Sequence, residues 1–175
     1  MEQTPPLAVG GFGGLYFEQF QVGMCIETAS RTITEADLVN FAGISGDFTA
    51  LHTDEESSKK GPFRRRIAHG MLIQSIATGL AIQTRVFEGT IAALVSMDIR
   101  WLNPIYPGDT ITLLLDVTEV DPVPSKRSGK ITLNSRVVNQ DGVVCVGGTW
   151  GTLLLCERAA KTARRRSARQ GGEAS

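Results

Sequence analysis

The longest hydrophobic pattern in the chain lies between Met71 and Arg85, where apolar residues occur on nearly every side and leave only a narrow polar stripe. A helix that is apolar almost all round is a buried helix. We therefore expect this segment to form a long central helix covered by the rest of the domain. Its apolar positions are Met71, Leu72, Ile73, Ile76, Ala77, Leu80, Ala81 and Ile82.

Two shorter helices are predicted by capping patterns, in which a threonine precedes an acidic residue by three positions. Thr34 with Asp37 predicts a helix that continues to about Ile44. Thr53 with Glu56 predicts a second, short helix that begins at the next residue and stops before a Gly-Pro pair.

Most of the remaining chain alternates between apolar and polar residues with a period of two, which predicts β-strands. The predicted strands are 24–33, 92–101, 110–120, 130–139 and 143–155, with a bulge at Gly147-Gly148 in the last one. Residues 121–129 form a polar loop, and Asp141-Gly142 predicts a tight hairpin turn. A strand, helices and a meander of strands indicate an α+β fold, a single domain whose antiparallel sheet wraps the long helix.

The alternation also predicts which side chains share one face of each strand. In the second strand these are Ala93, Val95, Met97, Ile99 and Trp101. In the third and fourth strands they are Ile111, Leu113, Leu115, Val117, Ile131, Leu133, Ser135 and Val137.

Composition divides the chain into three parts. Residues 1–15 hold two prolines and four glycines with little to bury, so we expect a flexible N-terminal arm. Residues 16–156 form the domain. Residues 157–175 carry six Lys or Arg against two Glu, and we expect a disordered basic tail.

Charge and cysteine content narrow the classes of function. The tail carries a formal +4, which leaves −4 on the rest of a chain whose net charge is zero, so the body offers no electrostatic basis for binding nucleic acid. Cys25, Cys145 and Cys156 lack metal-ligand spacing and indicate a reducing compartment. Without a signal peptide or a long apolar run, the sequence predicts a cytoplasmic protein with no membrane association.

The candidate chemistry is concentrated in 44–80, which contains the chain's two histidines, His52 and His69, close to Asp47. An acid, an imidazole and the start of a helix are groups that acid–base chemistry on a carbonyl compound requires. Each residue also has an ordinary structural explanation, since Asp47 could cap a turn and His52 could be a buried structural residue. We expect the side chain of His69 to be structural, with its place before Gly70 as its contribution.

Two motifs in this region carry a family resemblance. The segments Gly43–His52, GISGDFTALH, and Arg66–Met71, RIAHGM, resemble the MaoC-like (R)-specific enoyl-CoA hydratases. Both motifs occur at the separation expected for that family, and the likeness covers about 16–155. Members of the family have a hot dog fold, in which an antiparallel sheet wraps one long helix.

The resemblance implies a role for several residues. Asp47 and His52 would be the catalytic pair, and the backbone N–H of Gly70 would bind the thioester carbonyl. Thr49 and Thr78 are further candidates for substrate contact, although the Thr78 hydroxyl could instead bond to the helix backbone. The family usually has Asn-Pro where this chain has Thr49-Ala50, so an amide near the pair and a proline in its loop are both replaced.

A basic loop precedes the expected start of the long helix. Arg64, Arg65 and Arg66 are candidates for contacts with the phosphates of coenzyme A. The alternative is that the loop is simply solvated.

Together these features predict a lyase that reversibly hydrates a trans-2-enoyl-CoA to an (R)-3-hydroxyacyl-CoA. Coenzyme A enters as part of the substrate, and we expect no metal and no other cofactor. Two alternatives remain open: a hot dog thioesterase in which Asp47 activates water, and a non-catalytic acyl-CoA-binding subunit. Because strands such as 92–101 leave open edges, we expect a homodimer or a higher assembly built from it.

Overall fold

A computed structural model of the chain describes residues 13–123 and 127–157. The helices are α1 (Glu35–Ser45), α2 (Ala50–Thr53), α3 (Glu55–Ser58) and α4 (Gly70–Gln83), preceded by a 3-10 turn at Phe17–Gln19. The strands are β1 (Cys25–Glu27), β2 (Arg31–Thr32), β3 (Ile91–Trp101), β4 (Thr110–Val123), β5 (Ser128–Val138) and β6 (Val144–Leu155).

Within the described ranges the strands form one six-stranded sheet in the order β1-β4-β5-β6-β3, with β2 also paired to β4. Every pairing is antiparallel. The predicted α+β architecture is confirmed, and the long helix α4 packs against the sheet. No helix in the described part of the chain has the length and apolar character needed to cross a bilayer.

The central helix is buried on most of its surface but not on all of it. Leu72, Ile73, Gln74, Ile76, Ala77, Leu80 and Ala81 are buried. In contrast, Met71 is 53% exposed and Ile82 is 49% exposed. The prediction of burial all round is therefore wrong for one stripe, because the sheet of a single chain covers only part of the helix circumference.

β4 and β5 supply the regular centre of the core. The side chains predicted to share one face of β4, from Ile111 to Val117, are at most 1% exposed, and those of β5 alternate as predicted. Pairing continues to Val123 opposite Ser128, so the predicted polar loop 121–129 is too long. Backbone pairing thus continues for three residues beyond Val120 and Ile131, the last apolar pair that the alternation could indicate.

β3 departs from the predicted alternation. Leu94 pairs with Thr152 and Ser96 pairs with Gly151, which makes Val95 an extra residue. A bulge reverses the side that the preceding residues face, and Val95 is accordingly 49% exposed. On the predicted apolar face of β3, Met97 and Ile99 pack against the core, whereas Val95 and Trp101, which is 53% exposed, do not.

The first predicted strand, 24–33, is divided into β1 and β2. The interruption lies at Thr28, whose hydroxyl accepts a hydrogen bond from the backbone N–H of Leu113 at 3.1 Å and donates to Ala29 O at 2.9 Å. The predicted bulge at Gly147-Gly148 is also wrong, since both residues pair in register and the irregularity lies between Val144 and Val146.

Both predicted short helices exist, with one change of cap. The Thr34 hydroxyl accepts from Asp37 N, and the Asp37 carboxylate accepts from Thr34 N, which confirms the capping box of α1. The cap of α3 is Asp54, not Thr53. Thr53 is the last residue of α2, and its hydroxyl donates to the carbonyls of that turn, so it is not free to cap α3.

The predicted arm and tail fall mainly outside the described residues. Of 1–15, residues 13–15 are described, and the N–H groups of Gly14 and Leu15 donate to Glu88 O and Val86 O, each at 2.8 Å. These two residues are therefore attached to the domain. Of the predicted tail 157–175, Glu157 is described, and its N–H donates to Glu18 Oε2 at 3.1 Å.

Candidate active site

A cavity of about 560 Å³ opens at the N-terminal end of α4. Its wall comes from α1, α2, the loop that leads into α4, and the segment that follows β3. Most of the wall is apolar, and its polar side chains include Ser45, Asp47, His52, His69 and Asn103. The cavity thus brings both histidines and the predicted acid to one place.

Asp47 is placed by the end of α1. Gly46 adopts a left-handed conformation, with φ of 75°, and so turns the chain back toward the cavity. The Asp47 Oδ1 atom accepts from the Thr49 hydroxyl at 2.6 Å and from the Thr49 N–H at 3.2 Å. These hydrogen bonds, with a smaller contribution from the two histidines, hold the pKa of Asp47 below its usual value.

His52 lies on α2 with its ring fixed from behind. Its Nδ1 atom is 2.8 Å from the carbonyl oxygen of Ile67, and because a carbonyl only accepts, Nδ1 must carry the hydrogen. In the neutral ring this leaves a lone pair on Nε2, which lies 3.8 Å from Asp47 Oδ2. The His52 side chain is 11% exposed, so the acceptor nitrogen faces a largely enclosed space.

His69 packs directly on this pair. Its Nε2 atom lies 3.0 Å from the backbone oxygen of Asp47, and its ring stacks on His52 with centroids 3.8 Å apart. Phe41 closes the other side, 5.1 Å away. The side chain of His69 therefore has a structural role, as predicted, because its ring contacts both His52 and the backbone of Asp47.

The start of α4 lies very close to the end of β3. A Cβ atom at Gly70 would overlap the indole ring of Trp101, so only glycine allows the two elements to approach so closely. His69 is the N-cap residue but makes no side-chain cap, and the first backbone N–H groups of a helix have no partner within it. These donors lie at the wall of the cavity.

Thr78 is not part of this cavity. Its hydroxyl donates to Ser75 O at 2.8 Å, and the residue lines a second, smaller cavity of about 210 Å³. Eight residues separate it from Gly70, which corresponds to about 12 Å along a helix. The structure does not bring Thr78 together with Asp47.

The three arginines of the basic loop have different surroundings. Arg66 bonds to Glu35 at 2.7 Å and to Glu55 at 3.0 Å, so its guanidinium is already engaged. Arg65 lies over the ring of Tyr106, 4.8 Å from its centroid. Arg64 makes a long 3.5 Å contact with Lys59 O. Arg64 and Arg65 are exposed, and they directly follow Phe63, which lines the cavity.

Asp47, His52 and His69 have potential metal-ligand atoms within 4.8 Å of one another. The two rings are stacked, with planes 27° apart, and one nitrogen of each ring already lies within hydrogen-bonding distance of a backbone carbonyl. This geometry fits hydrogen bonding better than coordination of a single ion.

Sequence reasoning missed two contributors to the site. The ring of His69 could have been suspected, because it is one of two histidines in a short segment. Trp101 carries no such signal, since it is distant in sequence and was predicted only as a residue of an alternating strand. Its contact with Gly70 depends on how the end of β3 meets α4.

The MaoC like domain model matches residues 18–139 of this chain. Over 100 residues the chain is 40% identical to Protein MaoC of Klebsiella aerogenes, a match that covers 57% of this chain and 30% of that protein. It is 35% identical over 112 residues to the (R)-specific enoyl-CoA hydratase of Rhodospirillum rubrum, covering 64% of this chain and 74% of the relative.

Solved structures of proteins with related folds also superpose on this chain. The unliganded R-hydratase PhaJ1 of Pseudomonas aeruginosa superposes with a TM-score of 0.69 at 29% identity, covering 82% of this chain and 88% of that one. A Mycobacterium tuberculosis protein described as having a double hotdog fold matches with a TM-score of 0.72 at 18% identity, over 83% of this chain and 45% of that one. The second likeness shows the fold alone, and it confirms the predicted hot dog architecture.

Proposed function

This chain belongs to the MaoC-like domain family, and from that premise we propose that it is a hydro-lyase acting on a CoA thioester. The proposed reaction is the reversible hydration of a trans-2-enoyl-CoA to an (R)-3-hydroxyacyl-CoA. Hydration needs a base for water, a proton for the α-carbon and a stabiliser for the enolate oxygen. The cavity at the start of α4 contains candidates for all three.

The observation that carries the proposal is the arrangement of Asp47 and His52. Asp47 Oδ2 and His52 Nε2 are 3.8 Å apart, and both are acceptors when His52 donates through Nδ1 to Ile67. Two acceptors at this distance suit a water molecule that donates one hydrogen to each. The pair can therefore hold and orient a water molecule at the wall of an apolar cavity.

Proton transfer would then proceed through His52. As the water oxygen bonds to the β-carbon, its proton moves to His52 Nε2, and the electrons of the double bond move toward the thioester oxygen. The lowered pKa of Asp47 keeps its carboxylate charged, and this charge stabilises the imidazolium that forms. The same proton passes from His52 to the α-carbon, which completes the addition of water on one face.

The enolate oxygen would be stabilised at the N-terminus of α4. The N–H of Gly70 is an unpaired donor of the first helical turn, and the helix dipole places partial positive charge there.

Thr49 acts on the acid of the pair, since its hydroxyl donates to Asp47 Oδ1. We assign Thr49 the role of orienting the Asp47 carboxylate. Arg64 and Arg65 follow the cavity residue Phe63 and remain candidates for contacts with the phosphates of coenzyme A.

One assay tests the proposal against both alternatives. Crotonyl-CoA is incubated with the protein while enoyl absorbance and free thiol are followed in parallel. Hydration predicts loss of absorbance without thiol release. Release of thiol would identify a thioesterase, and binding without either change would identify an acyl-CoA-binding protein.

A further inference from the structure

Two cavities lie along α4, and they are built from the same three elements. The active-site cavity is lined by Gly70, Met71 and Ile73 of α4, Trp101 of β3 and Val146 of β6. The smaller, distal cavity is lined by Thr78, Ala81 and Ile82 of α4, Leu94 of β3, and Trp150 and Thr152 of β6. On each element the two sets of lining residues are separated by a short gap.

Two side chains occupy this gap and touch each other. Gln74 of α4 is 4% exposed, and its amide nitrogen lies 3.6 Å from the sulfur of Met97 on β3. Met97 is paired in register with Trp150, a wall residue of the distal cavity. Along α4 and β3, Gln74 and Met97 therefore lie between the residues that line the two cavities, and neither residue lines either cavity.

The position of Gln74 on the helix makes it an obstacle to a long ligand. Residues four apart share one face of a helix, so Gly70, Gln74 and Thr78 form a single line down α4. A chain that starts at Gly70 and follows this line meets Gln74 after about 6 Å and Thr78 only after about 12 Å. Beyond Gln74, the distal cavity offers an apolar wall that suits hydrocarbon.

A buried amide is also unusual at this position of α4. The rest of the buried face of α4 is apolar, and a thioether sulfur is a weak acceptor. Burying an amide with a poor partner is unfavourable, so packing alone does not favour glutamine here. Both side chains are unbranched beyond Cβ and can change rotamer, as methionine commonly does in adaptable sites.

We propose that Gln74 and Met97 form a partition that closes the active-site cavity toward the distal cavity and so restricts the enzyme to short acyl chains. The inference rests on the proposed hydratase function and adds the substrate class. Short enoyl thioesters fit on the near side of the partition. Longer ones must displace the Gln74–Met97 contact before their tails reach the distal cavity.

The test compares crotonyl-CoA with trans-2-octenoyl-CoA in the parent protein, Gln74→Ala and Met97→Ala. The parent should favour crotonyl-CoA in kcat/KM by about tenfold or more, and either variant should reduce that preference about tenfold by gaining activity on the longer substrate. Gln83→Ala is the matched control, because Gln83 lies exposed at the end of the same helix. It should leave the preference unchanged.

Affinity for the saturated thioesters, butyryl-CoA and octanoyl-CoA, gives a second readout that does not need catalysis. Calorimetry should show octanoyl-CoA gaining affinity in both variants relative to the parent. If the parent lacks hydratase activity, the proposed function fails while this binding comparison still decides the partition. An unchanged chain-length preference in two folded variants, in both rate and affinity, would overturn the partition.

Discussion

At the scale of single residues, the site depends on hydrogen bonds that fix which atoms can exchange protons. The Ile67 carbonyl fixes the His52 tautomer, and the Thr49 hydroxyl fixes the Asp47 carboxylate. Sequence comparison alone shows Thr49 as a departure from the usual asparagine. The structure shows that the Thr49 hydroxyl donates to the acid, so this position supplies a hydrogen-bond donor to Asp47.

The first prediction concerns that hydroxyl. Thr49→Val keeps the shape of the side chain but removes the strongest hydrogen bond to the charged form of Asp47, so the pKa of Asp47 should rise. The carboxylate would then become protonated at a higher pH as the solution is acidified. A ¹³C NMR titration of the Asp47 carboxyl carbon measures the midpoint directly.

Thr118→Val provides the control, because Thr118 is exposed on β4 and bonds only to the strand. It should leave the Asp47 midpoint where it is in the parent. If the midpoint in Thr49→Val stays the same or falls, the hydroxyl does not set the pKa of Asp47.

At the scale of elements, patterns that depend on neighbours in sequence were predictable and contacts between distant elements were not. The Thr34–Asp37 box and the alternation in β4 and β5 were confirmed because both are local. The cap of α3 was misassigned because Thr53 belongs to the preceding turn. The bulge at Val95 depends on how β3 pairs with β6, and the approach of Trp101 to Gly70 depends on how β3 meets α4. An alternation with a period of two predicts neither contact.

Arg66 joins elements that are far apart in sequence. Its guanidinium bonds to Glu35 at the start of α1 and to Glu55 at the start of α3, and the loop that carries it leads into α4. Arg66→Met should therefore destabilise the fold around the site. Because hydrogen bonds to charged groups contribute about 1.5–3 kcal/mol, and partial exposure weakens them, a loss of about 1–2 kcal/mol in the free energy of unfolding is expected.

Urea denaturation measures this loss, and Arg85→Met is the matched control. Arg85 pairs only with Glu88, three residues away on the surface, and such pairs contribute little. Equal stability of the two variants would show that the Arg66 contacts do not hold the elements together.

The basic loop gives a separate prediction about substrate binding. If Arg64 and Arg65 contact the phosphates of coenzyme A, replacing both by alanine should raise KM for crotonyl-CoA several-fold and leave kcat nearly unchanged. Crotonyl-pantetheine lacks the nucleotide phosphates and serves as the control substrate. Steady-state kinetics that show the same change for both substrates would place the effect elsewhere.

At the scale of the whole molecule, one side of the domain has the character of an interface. β3 lies at an edge of the sheet, where backbone groups are open to pairing. Apolar side chains that are about half exposed lie on β3 and on the neighbouring face of α4: Leu94, Val95, Trp101, Met71 and Ile82. We propose that a second copy of the chain covers this surface.

The corresponding prediction is a homodimer that one charge can weaken. Light scattering at micromolar concentration should give at least twice the mass of one chain, and Val95→Asp should shift the mass toward that of a monomer, because it places an unpaired charge in an apolar interface. Val22→Asp is the control, since Val22 is 65% exposed and precedes β1 at the opposite edge. A parent protein of single-chain mass would contradict the proposed interface.

The central claim is that Asp47 and His52 activate water, and the substitution Asp47→Asn tests it most directly. Asparagine keeps the size and polarity of the side chain but loses the negative charge, so kcat for hydration of crotonyl-CoA should fall by roughly a hundredfold to ten-thousandfold. Binding of butyryl-CoA should persist. Asp141→Asn, in the exposed turn before β6, should retain full activity. If folded Asp47→Asn hydrates crotonyl-CoA within a few-fold of the parent rate, the proposed mechanism is contradicted.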